Sequence, residues 1–529
     1  MYGLPILRQK TSISFPQLCY DSAGNPIDPP CGPDVKLATP LAEMRGNHFT
    51  CGVALDWRNI IAWGSTNYVA GTLGIGGSDN YPRKSSIDRA IDPILKTKEQ
   101  SKIIKLRSFA AYSFFLTEKG YLYASGSTGY GIFNTGNGTV NRDGFQLVTD
   151  NVKAFDLCSS GRYGSEDHYI LIVKNDGRLY GMGAANLGFG IGSTEIGPFY
   201  SLKFLGLSNI INVFCNNPSG QAKSFAIDRS GYVWACGYNN SGCLGVGTSD
   251  AIVYDWTQVK KPDGKLLENV KLVIPSNYVE DGGAVGSGTT WNGGTGHDNT
   301  SFLTSDGYVY TAGNNNHGQL GLGLGTSDTV NSATKTSVSK VVKMASSCGG
   351  LSVMVSTSDN ELYSWGNNHW GQLGHGDTIN RISPTLISSA PSDLIIDING
   401  GGHYGIINGI FVVMTGVGDV YGAGFDETYA LGIVDGSGNP VASNVTTLTK
   451  NPFFGPNPTM YINPSDTTAR YLAIGVDLCG YGTEVAQKVV IKDGTLFMSG
   501  WNQEVGGIWN FNPKIGTSNV YRPSKYVLI

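Results

Sequence analysis

Leu362-Tyr363-Ser364-Trp365-Gly366 is one of eight copies of a short apolar phrase that closes on glycine. Successive closing glycines are 62, 57, 54, 76, 53, 58 and 76 residues apart, at Gly64, Gly126, Gly183, Gly237, Gly313, Gly366, Gly424 and Gly500. Such a period indicates one supersecondary unit repeated, each copy burying its apolar face against the next. We therefore expect an aromatic residue of each copy to occupy an equivalent strand position, namely Trp63, Tyr123, Tyr180, Trp234, Tyr310, Tyr363, Tyr421 and Phe497.

Each phrase follows an apolar run and a turn. In the third copy the run is Ile170-Leu171-Ile172-Val173 and the turn is Asn175-Asp176-Gly177. An apolar run, an Asp-Gly turn and a second β-rich run predict a hairpin. Glycine- and Asn-rich residues follow, such as 367–376, and then a short extended piece, such as 383–387. Three or four strands per repeat without an amphipathic helix are typical of a β-propeller blade.

The order of residues 362–376, Leu-Tyr-x-Trp-Gly-x-Asn-x-x-Gly-Gln-Leu-Gly-x-Gly, resembles the repeat of the regulator of chromosome condensation family, whose repeats form propeller blades. The copy at 309–323 matches almost as well, and the copy at 233–247 has Cys243 in place of Gln. The copies at 60–76 and 179–192 match in part. The resemblance covers roughly residues 46–529. It implies a fold and not a function, because such propellers serve as exchange factors, inhibitors, photoreceptors and scaffolds.

We predict an all-β chain that forms a single β-propeller of RCC1-like repeats, with eight blades favoured and seven as the fallback. Residues 1–45 form a Pro-rich N-terminal arm, and residues 46–529 form the propeller. The two long spacings predict inserted loops at about 251–299 and 433–488. The tail at 521–527 resembles an outer strand, so we expect the C-terminus to finish the last blade unless an N-terminal strand closes the ring.

The arm holds seven of the 22 prolines, which excludes a helix or a central strand. Two alternatives stay open: it docks on a neighbouring subunit or larger assembly, or it is an irregular strand that closes the ring. Its acidic and basic residues balance, so the chromatin-binding role of the family's basic tails is not expected. Cys19 and Cys31 flank a Pro-rich loop and are candidates for a disulfide, whereas most of the other cysteines are expected to be small core residues.

Composition excludes several classes of function. The chain has 37 basic and 41 acidic residues and a net charge of −4, so we expect no nucleic-acid binding. No segment has the apolar length of a signal peptide or a membrane helix, so we expect a soluble chain without membrane insertion. The low charged fraction, 15%, favours an uncharged polar surface.

The sequence offers no catalytic motif. It has no P-loop, no HExxH and no GxSxG elbow in a strand–helix context, and Gly321-Leu322-Gly323-Leu324-Gly325 lacks the spacing of a dinucleotide loop. The histidines His317, His369 and His375 fall in repeat turns, where we expect them to form turn hydrogen bonds. The segment 435–439 has too few carboxylates for calcium. We therefore expect no enzyme, no catalytic residue, no cofactor and no metal.

The two insertions carry the candidate partner contacts. Aromatic side chains on loops of a rigid scaffold are typical of protein interfaces, although long loops also cover their own blade. The candidate anchors are Tyr278, Trp291, Phe453, Phe454 and Tyr461.

The low-charge surface, the expected absence of a signal peptide and the divergent repeats together resemble a virus or phage structural protein. We therefore expect a non-enzymatic virion surface, decoration or tail-associated propeller, located in the virion, with capsid or tail proteins or a host-surface ligand as partners. The alternative is a cytoplasmic regulatory propeller of the exchange-factor or inhibitor type that acts on a protein partner. No residue here matches the loop wedge with which members of the family act on small GTPases.

Overall fold

The computed structural model of this 529-residue chain describes residues 103–461 except 110–111, 127–141, 160–167, 185–187, 193–198, 217–221, 277–297, 348–349, 404–407, 427–428, 436, 438, 440 and 442–443. Outside that range it describes strand segments, whose bounds are given below. Regular structure in these residues is β-strand, apart from a 3₁₀ turn at Asn240–Gly242 and 3₁₀ conformation at Gly350. Among the described residues, no helix has the length and apolar character needed to cross a membrane.

The first 45 residues contain five short strands: β1 (Ile13–Ser14), β2 (Cys19–Tyr20), β3 (Pro26–Ile27), β4 (Lys36–Leu37) and β5 (Glu43–Met44). Strand β1 pairs with β4, and β2 pairs with β3, both antiparallel. The side chains of Cys19 and Cys31 lie outside the described residues, so their disulfide stays a prediction.

Eight sheets of three or more strands follow in the described part of the chain, and we number them 1 to 8 in chain order. Sheet 1 contains β6 (Thr50–Asp56), β7 (Asn59–Gly64) and β8 (Arg83–Ser86); sheet 2 contains β9 (Ile103–Phe109), β10 (Tyr112–Thr117), β11 (Leu122–Gly126) and β12 (Arg142–Thr149); sheet 3 contains β13 (Val152–Ser159), β14 (His168–Lys174), β15 (Leu179–Ala184) and β16 (Phe199–Phe204); sheet 4 contains β17 (Ile210–Asn216), β18 (Lys223–Asp228), β19 (Val233–Tyr238) and β20 (Ile252–Gln258).

Sheet 5 contains β21 (Val270–Pro275), β22 (Asn299–Thr304), β23 (Val309–Asn314) and β24 (Thr329–Lys335); sheet 6 contains β25 (Val341–Ser346), β26 (Ser352–Thr357), β27 (Leu362–Gly366) and β28 (Arg381–Leu386); sheet 7 contains β29 (Ile395–His403), β30 (Asn408–Thr415), β31 (Val420–Gly424) and β32 (Val445–Lys450); sheet 8 contains β33 (Ala473–Tyr481), β34 (Glu484–Ile491), β35 (Leu496–Gly500) and β36 (Val520–Lys525).

Sheets 3 to 8 are four-stranded antiparallel meanders in which sequential strands are neighbours. This confirms the all-β propeller prediction, with one sheet per repeat. The C-terminal strand β36 completes sheet 8, as the resemblance of the tail to an outer strand predicted. Eight blades in a closed ring stay a prediction.

The N-terminal arm contributes a strand to the sheets. Strand β5 runs parallel to β9, with Glu43 opposite Arg107 and Met44 opposite Ser108, and it also contacts β6 and β33. It therefore links β9, the first strand of sheet 2, to the last sheet, which favours the ring-closing alternative for these two residues. We call the first strand of each sheet its inner strand.

The phrase occupies the third strand of each four-stranded meander. Tyr363, which lies three residues before the closing glycine of its phrase, pairs with Val355 of the preceding strand. Tyr310 and Tyr421 lie at the same distance from their closing glycines and pair in the same register. The expectation for Trp63 is wrong: it lies one residue before Gly64, opposite Cys51. Trp63 is therefore equivalent to Trp365, and Ile61 takes the place of the aromatic residue, because the glycine and not the aromatic residue sets the register.

The core lies between neighbouring sheets. In β14, Tyr169 and Leu171 pack with residues of sheet 4, whereas Ile170 and Ile172 pack with residues of sheet 2. Successive side chains of a strand point to opposite faces, so a strand between two sheets is buried on both. The continuous apolar run in the sequence follows from this position.

Candidate functional site

The meander topology gives the sheets two distinct sides. The loops after the first and third strands of each sheet share one side, here the loop side, exemplified by residues 367–380. The tight turns after the second strands and the links between sheets share the other, here the turn side, exemplified by 336–340. The first insertion, predicted at about 251–299, includes the strands β20 and β21. Ser276 and Asp298, which flank its undescribed part, lie on the loop side, whereas Phe453 and Phe454 follow β32 on the turn side.

The asparagine and glutamine of the family motif hold the loops of the loop side through internal hydrogen bonds. The Asn368 carboxamide accepts a hydrogen bond from the Leu373 N–H at 2.9 Å and donates to the carbonyls of Asp377 and Ile379 at 2.9 and 3.1 Å. Gln372 accepts a hydrogen bond from the Trp370 N–H at 3.0 Å. Asn315 and Gln319 form the corresponding bonds in sheet 5. These amides are buried and internally satisfied, so the motif is structural.

The motif glycine allows the loop of one sheet to reach the next sheet. Gly371 has φ +76°, and a Cβ there would lie 2.5 Å from the Cα of Thr446 in sheet 7. The same contact is made by Gly242 with Asn331, where the distance would be 2.4 Å. No L side chain fits such a gap, so glycine is required for contact between sheets.

Sheet 7 departs from this pattern, because Asp426 replaces the motif asparagine. Its Oδ1 accepts the N–H of Leu431 at 2.8 Å, as in the other loops. Its Oδ2 is buried and has no hydrogen-bond partner among the described residues. Burial raises the pKa of the Asp426 carboxyl well above its usual range, only partly opposed by the Leu431 N–H.

Carboxylates surround the repeat tyrosines near the turn side. Burial raises the pKa of Tyr363, and so do its hydrogen bond to Glu361, 3.0 Å long, and the neighbouring Asp359. The pKa of Tyr421 is likewise raised by burial and then by Asp419 and Asp393. The turn side therefore carries negative charge close to aromatic side chains.

The inner strands of sheets 2 to 7 line a cavity of about 250 Å³. Asp156 lies on its wall and accepts hydrogen bonds from Arg107 Nε at 3.0 Å and from the Cys215 N–H at 3.1 Å, and Lys105 Nζ is 3.7 Å away. Burial raises the pKa of the Cys215 thiol, which keeps it protonated and weakly nucleophilic. Asp156 of sheet 3 therefore ties sheets 2, 3 and 4 together.

The structure changes the list of candidate contacts. Phe453 and Phe454 are wrong as contacts, because they are 1% and 0% exposed and pack in the core of sheet 7. The Asn451 side chain holds this turn inward by binding the Leu431 carbonyl at 2.8 Å and the Phe453 N–H at 3.0 Å. Tyr461 is half-buried, and its role stays a prediction. Tyr278 and Trp291 lie outside the described residues.

Two of the three repeat-turn histidines form side-chain hydrogen bonds, whereas the ring of the third, His369, packs edge-on against Trp370 with ring centroids 4.9 Å apart. His375 hydrogen-bonds Ser364 at 3.0 Å, and His317 hydrogen-bonds Asn367 at 3.2 Å. The Asp435 carboxylate accepts the N–H groups of Ser437 and Asn439, at 2.9 and 2.8 Å, as an ordinary turn residue. The described part of the chain contains no cluster of three or more metal-binding side chains.

Comparison with known proteins agrees with this architecture. The family model described as "Regulator of chromosome condensation (RCC1) repeat" matches residues 306–355 and 359–407, within sheets 5 to 7. The solved structure of Prp20p from Saccharomyces cerevisiae aligns with a TM-score of 0.50 at 14% identity, over 85% of this chain and 92% of that one. The chain is thus a β-propeller built from internal repeats. More narrowly, it is an RCC1-like β-propeller.

Several curated proteins match parts of the chain in sequence. The chain is 25% identical to the ultraviolet-B receptor UVR8 of Arabidopsis thaliana over 272 residues, which are 50% of this chain and 53% of the receptor. It is 23% identical to the regulator of chromosome condensation of Mus musculus over 335 residues, 59% of this chain and 71% of that protein. The mouse E3 ubiquitin-protein ligase HERC2 is 29% identical over 180 residues, only 3% of its length. The chain thus spans about half of the receptor and a small part of the ligase.

Proposed function

We propose that this protein is a regulatory binding propeller that acts on a protein partner. The observation that carries the proposal is the match of residues 306–407 to RCC1 repeats within a chain of the same fold. The work on Prp20p reports its binding to Gsp1p and histones, and UVR8 is a receptor. The motif side chains form hydrogen bonds within their own loops and are buried. We therefore expect a partner to bind exposed residues, which differ from repeat to repeat.

These relatives favour the regulatory alternative over a virion protein. None of the three curated proteins above is named a capsid or tail protein, and the binding reported for Prp20p is to Gsp1p and histones. The virion location and the host-surface ligand therefore remain expectations without support from these relatives. A cytoplasmic regulator is our proposed alternative.

We also propose that the protein works without catalysis. HERC2 is named a ligase, but the match covers 3% of it, so its activity does not transfer to this chain. In the described residues the buried ionisable groups serve the framework: Asp156 joins sheets 2 and 4, and Cys215 is a protonated thiol. Function then depends on surface contacts.

Affinity purification of the tagged full chain from its source, followed by native mass spectrometry, tests the proposal. We expect one cellular protein to copurify in a fixed ratio and to be absent with a tagged propeller of unrelated sequence. Cofractionation with capsid or tail proteins would restore the virion interpretation. A chain that is monomeric and partnerless in every fraction would contradict both.

A further inference from the structure

A repeated corner joins the sheets on the turn side. At the four corners between sheets 2 and 6, the residue before the inner strand contacts the turn glycine of the preceding sheet. At Asn209 and Asn269 this corner residue has φ of 63° and 60°, and a Cβ on the opposing Gly177 or Gly231 would lie 3.1 or 2.9 Å from the Cα of that asparagine. Glycine is thus required in the turn, and the polar corner residue adopts a left-handed conformation.

The corner between sheets 6 and 7 is built in a different way. Asn360, with φ 65°, replaces the turn glycine. Its side chain donates to the carbonyl of Asp393 at 3.2 Å and accepts the N–H of Ile395 at 2.7 Å. The Leu394 carbonyl, in turn, accepts the Gly416 N–H at 2.7 Å. The backbone is therefore fixed on both sides of Leu394.

This fixed corner presents apolar side chains to solvent. Leu394 is 56% exposed, and Val417, next to Gly416, is 37% exposed. On the adjacent inner strand β25, Val342 is the extra residue of a β-bulge and is 47% exposed. A rigid backbone removes the ordering cost of binding, so exposed apolar groups held in this way are suited to an interface. We name Leu394 and Val417 the corner patch, and Val342 lies on the neighbouring strand β25.

The ammonium groups around the corner patch are largely neutralised. Lys340 pairs with Asp359 at 2.6 Å, and Lys450 pairs with Asp419 at 2.8 Å. On the inner strands, Lys343 of β25 and Asp397 of β29 carry opposite charges.

Two further carboxylates leave the surroundings negative. Glu361 accepts the Tyr363 hydroxyl and is exposed, and Asp393 is exposed directly beside Leu394. Around the corner patch the described carboxylates therefore outnumber the ammonium groups, and a cationic partner is favoured.

We propose that the corner patch is the docking surface for a partner segment with apolar side chains flanked by lysine or arginine. This inference rests on the proposed protein-binding function and assigns it to the turn side. The apolar side chains of the segment cover Leu394 and Val417, and its cationic ends face Asp393 and Glu361. Docking requires no rearrangement of the corner.

A fluorescence anisotropy titration of the full chain tests this assignment. The probes are two short labelled peptides with the same leucine-rich centre, one with lysine ends and one with glutamate ends. We expect the lysine peptide to bind, more weakly at high salt, and the glutamate peptide to bind at least about tenfold more weakly. Leu394→Lys should weaken binding of the lysine peptide at least about tenfold, as loss of a central anchor does.

Ile379→Lys is the matched control, because Ile379 is 65% exposed but lies on the loop side. It should leave binding unchanged, and both variants should keep the wild-type Tm. Equal binding of the two peptides, or equal losses for the two variants, would overturn the assignment. So would sedimentation data in which the wild type dimerises and Leu394→Lys does not, because the occupant would then be a second copy.

The copurified partner separates failure of this assignment from failure of the proposed function. A partner retained by Leu394→Lys but lost by Ile379→Lys would place binding on the loop side, and the regulatory function would stand. Absence of any partner for the wild type would contradict the proposed function itself.

Discussion

Lys223 of sheet 4 and Asp298 of sheet 5 form an ion pair buried between the two sheets, with side-chain exposures of 0% and 4%. Lys223 lies opposite the closing Gly237, a position that bridges sheets elsewhere too. The equivalent Tyr169 hydroxyl is 2.8 Å from Ser224 Oγ, and Asn299 donates to the Gly350 carbonyl at 3.1 Å. One strand position thus joins successive sheets through different polar chemistry.

Breaking this pair on one side should be costly. Lys223→Met leaves the Asp298 carboxylate buried without its cation, so we expect a loss of about 3–5 kcal/mol in the free energy of unfolding. The double variant with Asp298→Leu should recover most of it, because apolar side chains replace both charges. Urea denaturation of the wild type, the single variant and the double variant measures this cycle. A single variant within about 1 kcal/mol of the wild type would show that the pair is not buried in solution.

Asp426 predicts a pH-dependent stability. Burial raises its folded pKa, so its protonated form favours folding below the unfolded value of about 3.9. That contribution is lost as the pH rises from this value through the folded pKa. Asp426→Asn should therefore stabilise the protein by about 1–3 kcal/mol at pH 7, with the gain shrinking towards pH 4.

The matched control for Asp426 is Asn368→Asp, which places the same carboxyl in a loop that normally holds asparagine. Asn368→Asp should lower the free energy of unfolding at pH 7, and this loss should shrink in acid, where the new carboxyl is protonated. Urea midpoints at several pH values measure both variants. A gain for Asp426→Asn that is independent of pH would contradict burial of a protonated carboxyl.

Gly366 and Gly264 both have positive φ, but only Gly366 lacks space for a side chain. Substituting each by alanine therefore distinguishes the cost of a steric clash from the cost of a left-handed backbone. At Gly366, φ is +99° and a Cβ would lie 2.1 Å from the Leu351 carbonyl oxygen, whereas at Gly264 φ is +80° and nothing lies within 4 Å. Gly264→Ala should cost about 1–2 kcal/mol for the left-handed backbone alone. Gly366→Ala should cost at least about 2 kcal/mol more, because the backbone must shift. Equal melting temperatures for the two variants would argue against the close contact in sheet 6.

The arm can be tested by two truncations that differ in β5. Removal of residues 1–42 retains Glu43 and Met44, and removal of residues 1–45 deletes both. If β5 helps to close the ring, only the longer truncation should lower the Tm substantially, because it exposes the edge of β9. If both truncated chains melt like the full chain but lose their partner, the arm is a dock instead.

Tertiary contacts explain why several sequence predictions were incomplete. The aromatic residue of the first phrase predicted that Trp63 matches Tyr363, but the strand pairing is aligned on the closing glycine. At Gly366 a side chain would clash with the Leu351 carbonyl oxygen. Phe453 and Phe454 have the sequence context of a contact loop, yet Asn451 turns them into the core.

The sequence by itself determined the fold, because its information is local and repeated. An apolar run, an Asp-Gly turn and a glycine-closed phrase each depend on near neighbours along the chain, and repetition of these elements specifies sheets that stack. The tertiary structure alone decided which side chains meet. Lys223 and Asp298 are 75 residues apart, and the exposure of Leu394 depends on Asn360 in the preceding sheet. Such contacts depend on how one sheet packs on the next. A short stretch of sequence contains no information about distances between residues that lie far apart along the chain.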